Sequence, residues 1–232
     1  MALILQIDTA TEHASICISQ DGKLLDIQSS LDQKNHAAFL QPAIKDIVAK
    51  SGWQLADFDA LAVTIGPGSY TGLRVGLASA KGICFALNKP LITLNTLQVI
   101  ASAAQKSGLA AGIKFHPETY FCPLIDARRM EVFTAFYDLE LYCRQEAHAL
   151  VVDSQSFNEI YPLHPLVCSG SGAKKLVALI NDPRVSFMDC QHDAADMINL
   201  AETAYASGLY ADLAYCEPLY VKAFFDTAVL KK

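Results

Sequence analysis

Three short segments carry residue types that could handle a phosphate. The first is Asp8-Thr9-Ala10-Thr11, at the end of an apolar run. Such a turn offers hydroxyls and backbone donors to a phosphate, and an aspartate there can orient water or a metal ion. The same four residues also make an Asx or Thr turn that satisfies only its own backbone, and alone they favour that plainer reading. The second segment runs from Gly66 to Gly76 and reads GPGSYTGLRVG. A strand, a glycine-rich turn and a helix aim free N–H groups and a helix dipole at an anion. It is not a Walker A loop, because no lysine follows the glycines. Gly72, Gly76 and Ala80 stand four apart, a small-residue strip on which another helix could sit closely, in this chain or in a partner. The third segment is Ser169-Gly170-Ser171-Gly172, ahead of a helix. It could cradle a nucleotide at the helix N-terminus, though an isolated glycine pair is more often a plain βα turn.

Other chemistries lack their residues. The histidines do not pair at helical spacing, so no H-E-x-x-H metal site is written here. His36, beside a candidate cap at Asn35, reads as a capping or surface residue. The seven cysteines are scattered, with no C-x-x-C pair, as reduced core thiols of a cytoplasmic protein would be. No G-x-S-x-G elbow appears. A kinase would need a second acidic residue at a turn matching Asp8, and none is evident. The net charge of −6 lacks the basic surplus that phosphate binding demands, so in an RNA pathway another subunit would grip the RNA.

The elements that position these residues follow from pattern. A hydrophobic share of 52% against 18% charged residues supplies one or two packed cores. Leu3–Ile7, Ala14–Ser19 and Leu24–Ile27 read as strands, the last two joined by an Asp21-Gly22 hairpin. The chain thus opens on a meander, not on the βαβ unit of a dinucleotide fold. A helix is expected from Asn35 to about Lys50, with a kink or a late start at Pro42. Leu61–Ile65 leads into the glycine-rich turn and a helix to about Asn88, stopped by Lys89-Pro90. A strand over Leu91–Leu94 and a helix over Thr96–Gln105 precede a linker at Gly108–Pro117. Beyond it, Tyr120–Ile125 and Glu131–Tyr137 should pair. Leu166–Cys168 leads into the SGSG turn and a helix through Ile180. Asp193 is a candidate N-cap for a last helix that Gly208 ends.

Taken in order, ILQIDTAT, NHAAFLQPAI, LAVTIGPGSYTGLRVGLASAKGICFAL, PLITLNTLQVIA, IDARRMEVFTAFY and EPLYVK resemble the TsaB (YeaZ) family of bacterial tRNA threonylcarbamoyladenosine biosynthesis proteins over nearly the whole chain. The resemblance implies an α/β, actin-like ATPase fold of ribonuclease H-like type, with two lobes that each hold a mixed sheet and packed helices. Residues 1–108, with the helix near 193–208 packed back on them, would form an N-terminal lobe carrying the dimer surface. Residues 109–192 would form a smaller C-terminal lobe, and 209–232 a tail.

The resemblance also implies a role. The chain would be a non-catalytic, activating scaffold for a TsaD-type catalytic subunit, which transfers a threonylcarbamoyl group to adenosine 37 of tRNAs. A TsaE-type ATPase would join them, tRNA would be met only through the complex, and the chain alone would be a cytoplasmic homodimer with no membrane contact. The implied contact surface is His36, Leu40 and Ile44 on one helix with Gly72, Leu73, Arg74, Gly76, Leu77 and Ala80 on the next. No cofactor would be required. Weak ATP or ADP binding, mainly in the complex, would fall to a vestigial site of Asp8, Thr9, Thr11, Gly170 and Gly172. The sister subunit carries N-H-L-E-G-H, whose histidines hold its metal. Here Thr96 and Ile100 stand in those places, and neither suits a transition metal. No metal, no catalytic residue and little or no ATPase activity are therefore expected. The competing reading is an ATP-dependent small-molecule kinase, since the fold houses many.

Overall fold

The computed structural model describes residues 2–32 and 35–222. Strands β1 (Leu3–Asp8), β2 (Ala14–Gln20) and β3 (Lys23–Ser30) form the expected meander, turning at Asp21 and Gly22 in left-handed backbone. Strands β4 (Ala60–Gly66) and β5 (Leu91–Asn95) then run parallel to β1, giving the order β3-β2-β1-β4-β5. Side chains alternate across a strand, so β1 feeds two cores. Leu3, Leu5 and Ile7 face helices α1 (His36–Ser51) and α2 (Tyr70–Leu87). Ile4 faces the opposite way, onto Met197, Ile198 and Ala201 of the closing helical segment. That segment is a 3₁₀ turn (Ala194–Met197) running into α5 (Ile198–Ala206). Asp193 caps it reciprocally with Asp196, and Gly208 follows in left-handed backbone.

The second sheet repeats the plan. Strands β6 (Tyr120–Asp126), β7 (Glu131–Tyr137) and β8 (Cys143–Val151) are an antiparallel meander; β9 (Leu166–Ser169) and β10 (Val185–Met188) run parallel to β6. The order β8-β7-β6-β9-β10 matches β3-β2-β1-β4-β5 strand for strand. Helix α3 (Thr96–Ala110) lays Leu97, Ile100 and Ala104 on Phe121, Ala135 and Tyr137. The other face holds Phe136, Phe157 and Leu176. This is the two-lobed, actin-like α/β arrangement.

Several local expectations are corrected. Helix α3 runs five residues past Gln105, so Gly108 is not linker but a buried helical residue. A Cβ on it would stand 2.3 Å from the Phe115 ring, so glycine serves close packing there. Helix α1 starts at His36 despite Pro42. Ala38, whose carbonyl the proline leaves without its helical donor, lies with it on the solvent-exposed face. Asn35 makes no side-chain cap bond. The helix after the SGSG turn is only α4 (Ala173–Val177). Strands β8 and β10 were not foreseen: β8 is an edge of mixed polarity, and β10 has four residues. Residues 209–222 form a strap rather than a loose tail. Ala211 N–H bonds the Leu91 carbonyl at 2.8 Å and Leu219 N–H the Ile65 carbonyl at 2.7 Å. Lys222 then reaches Glu131 of the second lobe at 2.8 Å. The expected tail residues 223–232 lie outside the described residues.

Candidate functional site

Asp8 ends β1 with its carboxylate wholly buried. Its Oδ1 accepts from Thr64 Oγ1 at 2.7 Å and from Ala10 N–H at 3.0 Å. Its Oδ2 lies 3.2 Å from His192 Nε2, an ion-pair distance, although the ring N–H is not aligned on it and neither atom has another partner among the described residues. Burial would push the Asp8 carboxyl up, but His192, with the Ala10 and Thr64 donors, outweighs it and holds it below the usual carboxylate value. Burial would likewise pull the His192 imidazole down, and the facing Asp8 carboxylate raises it instead. The pair favours its charged form. Asp8 thus faces an imidazole, not an open cleft.

The glycine-rich turn is filled by the chain's own backbone. Thr9 Oγ1 donates to the Gly72 carbonyl at 2.7 Å, and Ser69 N–H donates to the Ala10 carbonyl at 2.7 Å. A Cβ on Gly72 would stand 2.0 Å from the Thr9 carbonyl oxygen, and one on Gly76 would stand 2.3 Å from Thr9 Oγ1. A Cβ on Gly66 would meet the Leu219 carbonyl oxygen of the strap at 2.5 Å. These glycines let the 8–10 turn and the strap press onto α2 and its approach. The cradle that the sequence suggested for a phosphate is occupied. Thr11 is partly exposed at the rim of that turn.

The SGSG turn is equally spent. Gly172 N–H bonds the Leu124 carbonyl at 2.9 Å, and Gly170 has φ +91° with its α-carbon pressed toward the same carbonyl. Asp8, Thr9, Gly170 and Gly172 are thus all engaged by groups of this chain.

The repeat exposes what the sequence alone missed. Asp126 ends β6 as Asp8 ends β1, and so is the acidic residue at a matching turn that was not evident before. The signal was the pairing of two meanders, each closing its first strand on an aspartate. Asp126 is exposed, and Lys175 Nζ donates to its Oδ1 at 2.7 Å. Slight burial would raise its carboxyl, but Lys175 and the Arg128 N–H outweigh that and hold it below the usual range.

The expected contact set is redrawn. His36, Leu40, Ile44, Gly72, Leu73, Gly76, Leu77 and Ala80 are all buried within this chain, so they have no surface to offer. His36 is no surface cap: its Nε2 lies 3.4 Å from the Glu12 carbonyl. The physical reason is the sheet, which takes the apolar and small-residue face of both helices. Arg74 is exposed, bonding Tyr220 Oη at 3.0 Å and lying 4.2 Å over the Tyr70 ring. The outward face of α2 is instead Thr71, Arg74, Ala78, Gly82 and Phe85. Phe85 is 80% exposed, a large unburied apolar side chain. Ala37 and Gln41 of α1 continue this face, with Gln41 Nε2 donating to Ser79 Oγ at 2.8 Å.

Thr96 and Ile100 are buried on α3, and among the described residues no group of three His, Cys, Asp or Glu could hold a metal ion. All seven cysteines are free; Cys143 is exposed rather than a core thiol. No helix among the described residues is long and apolar enough to cross a membrane.

Comparison with known proteins agrees over the chain's length. The model of the TsaD family, tRNA N6-adenosine threonylcarbamoyltransferase, matches residues 27–156. The tRNA threonylcarbamoyladenosine biosynthesis protein TsaB of Escherichia coli (strain K12) is 29% identical over 226 residues, 94% of each chain. The protein of that name in Haemophilus influenzae is 36% identical over 130 residues, 56% of this chain and 51% of that one. The solved structure of YeaZ from Pseudomonas aeruginosa superposes with a TM-score of 0.78 at 25% identity, covering 95% of this chain and all of that one.

Proposed function

This chain belongs to the TsaB (YeaZ) family of tRNA threonylcarbamoyladenosine biosynthesis proteins, and from that premise we propose that it is the accessory, non-catalytic subunit that activates a TsaD-type transferase. The observation that carries this reading is the filled glycine turn: Thr9 and Ala10 of this chain press onto Gly68, Gly72 and Gly76, so the turn is packed rather than open. Asp8 is sealed against His192, away from any open cleft, and Asp126 stands apart from it at the surface, paired with Lys175.

An inert subunit can still raise its partner's activity. A surface that binds the active conformation of the sister more tightly shifts the population toward it, without donating a catalytic group. The outward face of α2, with Phe85 at its C-terminal end and α1 beside it, is the contact we assign. An exposed aromatic beside small residues is a typical interface anchor. A TsaE-type ATPase completes the assembly, the chain pairs with itself when alone, and any ATP or ADP is held weakly and mainly in the complex. The setting is cytoplasmic.

The test is reconstitution. The chain alone should release no phosphate from ATP and modify no tRNA; mixed with the sister, the ATPase and the threonylcarbamoyl donor, it should support modification. One observation favours the rival: Asp8 and Asp126 occupy equivalent strand ends, as the acids of a phosphate-transferring cleft would. If the chain alone turns over ATP at about 1 per second, a typical enzymatic rate, and loses this with Asp126→Asn, it is a kinase and the scaffold reading fails.

A further inference from the structure

We propose that the tip of the β6–β7 hairpin, Arg128 and Arg129, is a direct contact for the phosphodiester backbone of RNA. The proposal rests on the reading above and changes it in one respect: RNA would meet this chain itself, not only its partners.

The sequence holds five arginines. Arg144 donates to Asp138 at 2.7 Å, Arg184 to Asp182 at 2.8 Å, and Arg74 to Tyr220 at 3.0 Å. The guanidinium groups of Arg128 and Arg129 have no partner among the described residues, and both residues are exposed. The adjacent carboxylates do not serve them. Asp126 Oδ1 takes Lys175 Nζ at 2.7 Å and the Arg128 backbone N–H at 2.6 Å, while Glu131 takes Lys222 at 2.8 Å. The lysines thus neutralise the local acids and leave two adjacent guanidinium groups as net positive charge.

The backbone makes this choice of residue more telling. Arg128 and Arg129 have φ of 71° and 49°, a conformation for which glycine or asparagine is the easy choice. Two arginines there answer to chemistry rather than conformation. Guanidinium groups pair with phosphate oxygens through paired, charge-assisted hydrogen bonds. Two adjacent guanidinium groups with no carboxylate partner among the described residues offer paired donors to the oxygens of a phosphodiester, the group that a tRNA presents at every nucleotide. A net charge of −6 opposes RNA elsewhere, so the contact should be local, weak in the isolated chain and salt-sensitive.

The experiment is fluorescence anisotropy of a labelled, unmodified tRNA transcript titrated with the full chain at two salt concentrations. The Arg128→Ala/Arg129→Ala double variant should bind about tenfold more weakly at low salt, its log K against log salt slope shallower by about 1.4–1.8, as two lost phosphate contacts require. Arg184→Ala, paired with Asp182, should bind like the wild type. Arg128→Lys/Arg129→Lys should keep most of the slope. Melting temperatures should be unchanged, because the tip is exposed. Wild-type affinity and slope in the double alanine variant would overturn the proposal, as would a wild-type chain that does not bind the transcript at low salt. If the double variant lost the sister subunit while keeping tRNA, the hairpin would be a protein contact and the proposal wrong. The proposed function fails separately: a chain that binds tRNA through the hairpin but does not activate the sister would refute that reading alone.

Discussion

Asp8 and Asp126 sit at the same place in two copies of one topology, yet one is sealed and the other open to water. In the first lobe, the 8–10 turn is pressed onto the Gly72 and Gly76 positions of α2, and His192 closes over the carboxylate. In the second, the hairpin tip stands clear, and Asp126 is held only by Lys175 and backbone at the surface. Shared topology thus places two acids symmetrically, and local packing decides what each can do. The lobe whose sequence looked most like a phosphate site is the one whose own backbone fills it.

The comparison predicts its own asymmetry. Asp8→Ala leaves His192 buried with no facing charge and should cost about 3–5 kcal/mol, as loss of one member of a buried pair does. Asp126→Ala removes an exposed pair and should cost less than about 1 kcal/mol. Urea denaturation of both variants decides it, and equal losses would erase the distinction between the lobes.

A second pair lies along α2. Gly76→Leu must displace Thr9 and should lower stability by about 1–3 kcal/mol or more, through overpacking. Gly82→Ala, with nothing within 4 Å of its new Cβ, should instead stabilise by about 0.4–1 kcal/mol. Thermal melting reads both signs, and a neutral Gly76→Leu would mean that the small-residue strip is not filled from within.

The pH dependence should follow the sealed pair. Asp8 is lowered from 3.8, so its contribution is present above that value and fades as pH falls through its folded pKa. His192 is raised from 6.5, so its contribution is full below that value and fades as pH rises through its folded pKa. Wild-type stability should therefore decline on the alkaline side, above about 6.5 by the unperturbed histidine value, and His192→Gln should flatten that decline. A variant with an unchanged profile would show that the pair carries no charge.

The sequence was readable where a pattern was local. The first meander, the buried strand β4, the helix stop at Lys89-Pro90 and the Asp193 cap all rest on neighbouring residues. Strand β8 was not readable, because an edge with polar residues on both faces has no period to detect. The contact surface misled for a related reason. Leu73, Leu77 and Ala80 are apolar and small, and nothing in one helix says whether its stripe meets a partner or its own sheet. Glycine spacing posed the same ambiguity: Gly72 and Gly76 permit close approach without naming what approaches. Asp126 was visible as a residue but not as a counterpart of Asp8, since that equivalence exists only in the strand order.

On the proposed function, this chain acts through the outer face of α2 and not through its aspartates or glycine turn. The most direct measurement is the tRNA modification rate of the sister subunit supplied with Phe85→Glu in place of the wild type. Phe85 is exposed, so the variant should melt like the wild type while supporting modification about a hundredfold less well, the loss expected when about 2.7 kcal/mol of anchoring is removed. A Phe85→Glu chain that pairs with the sister and supports the full rate would contradict the account.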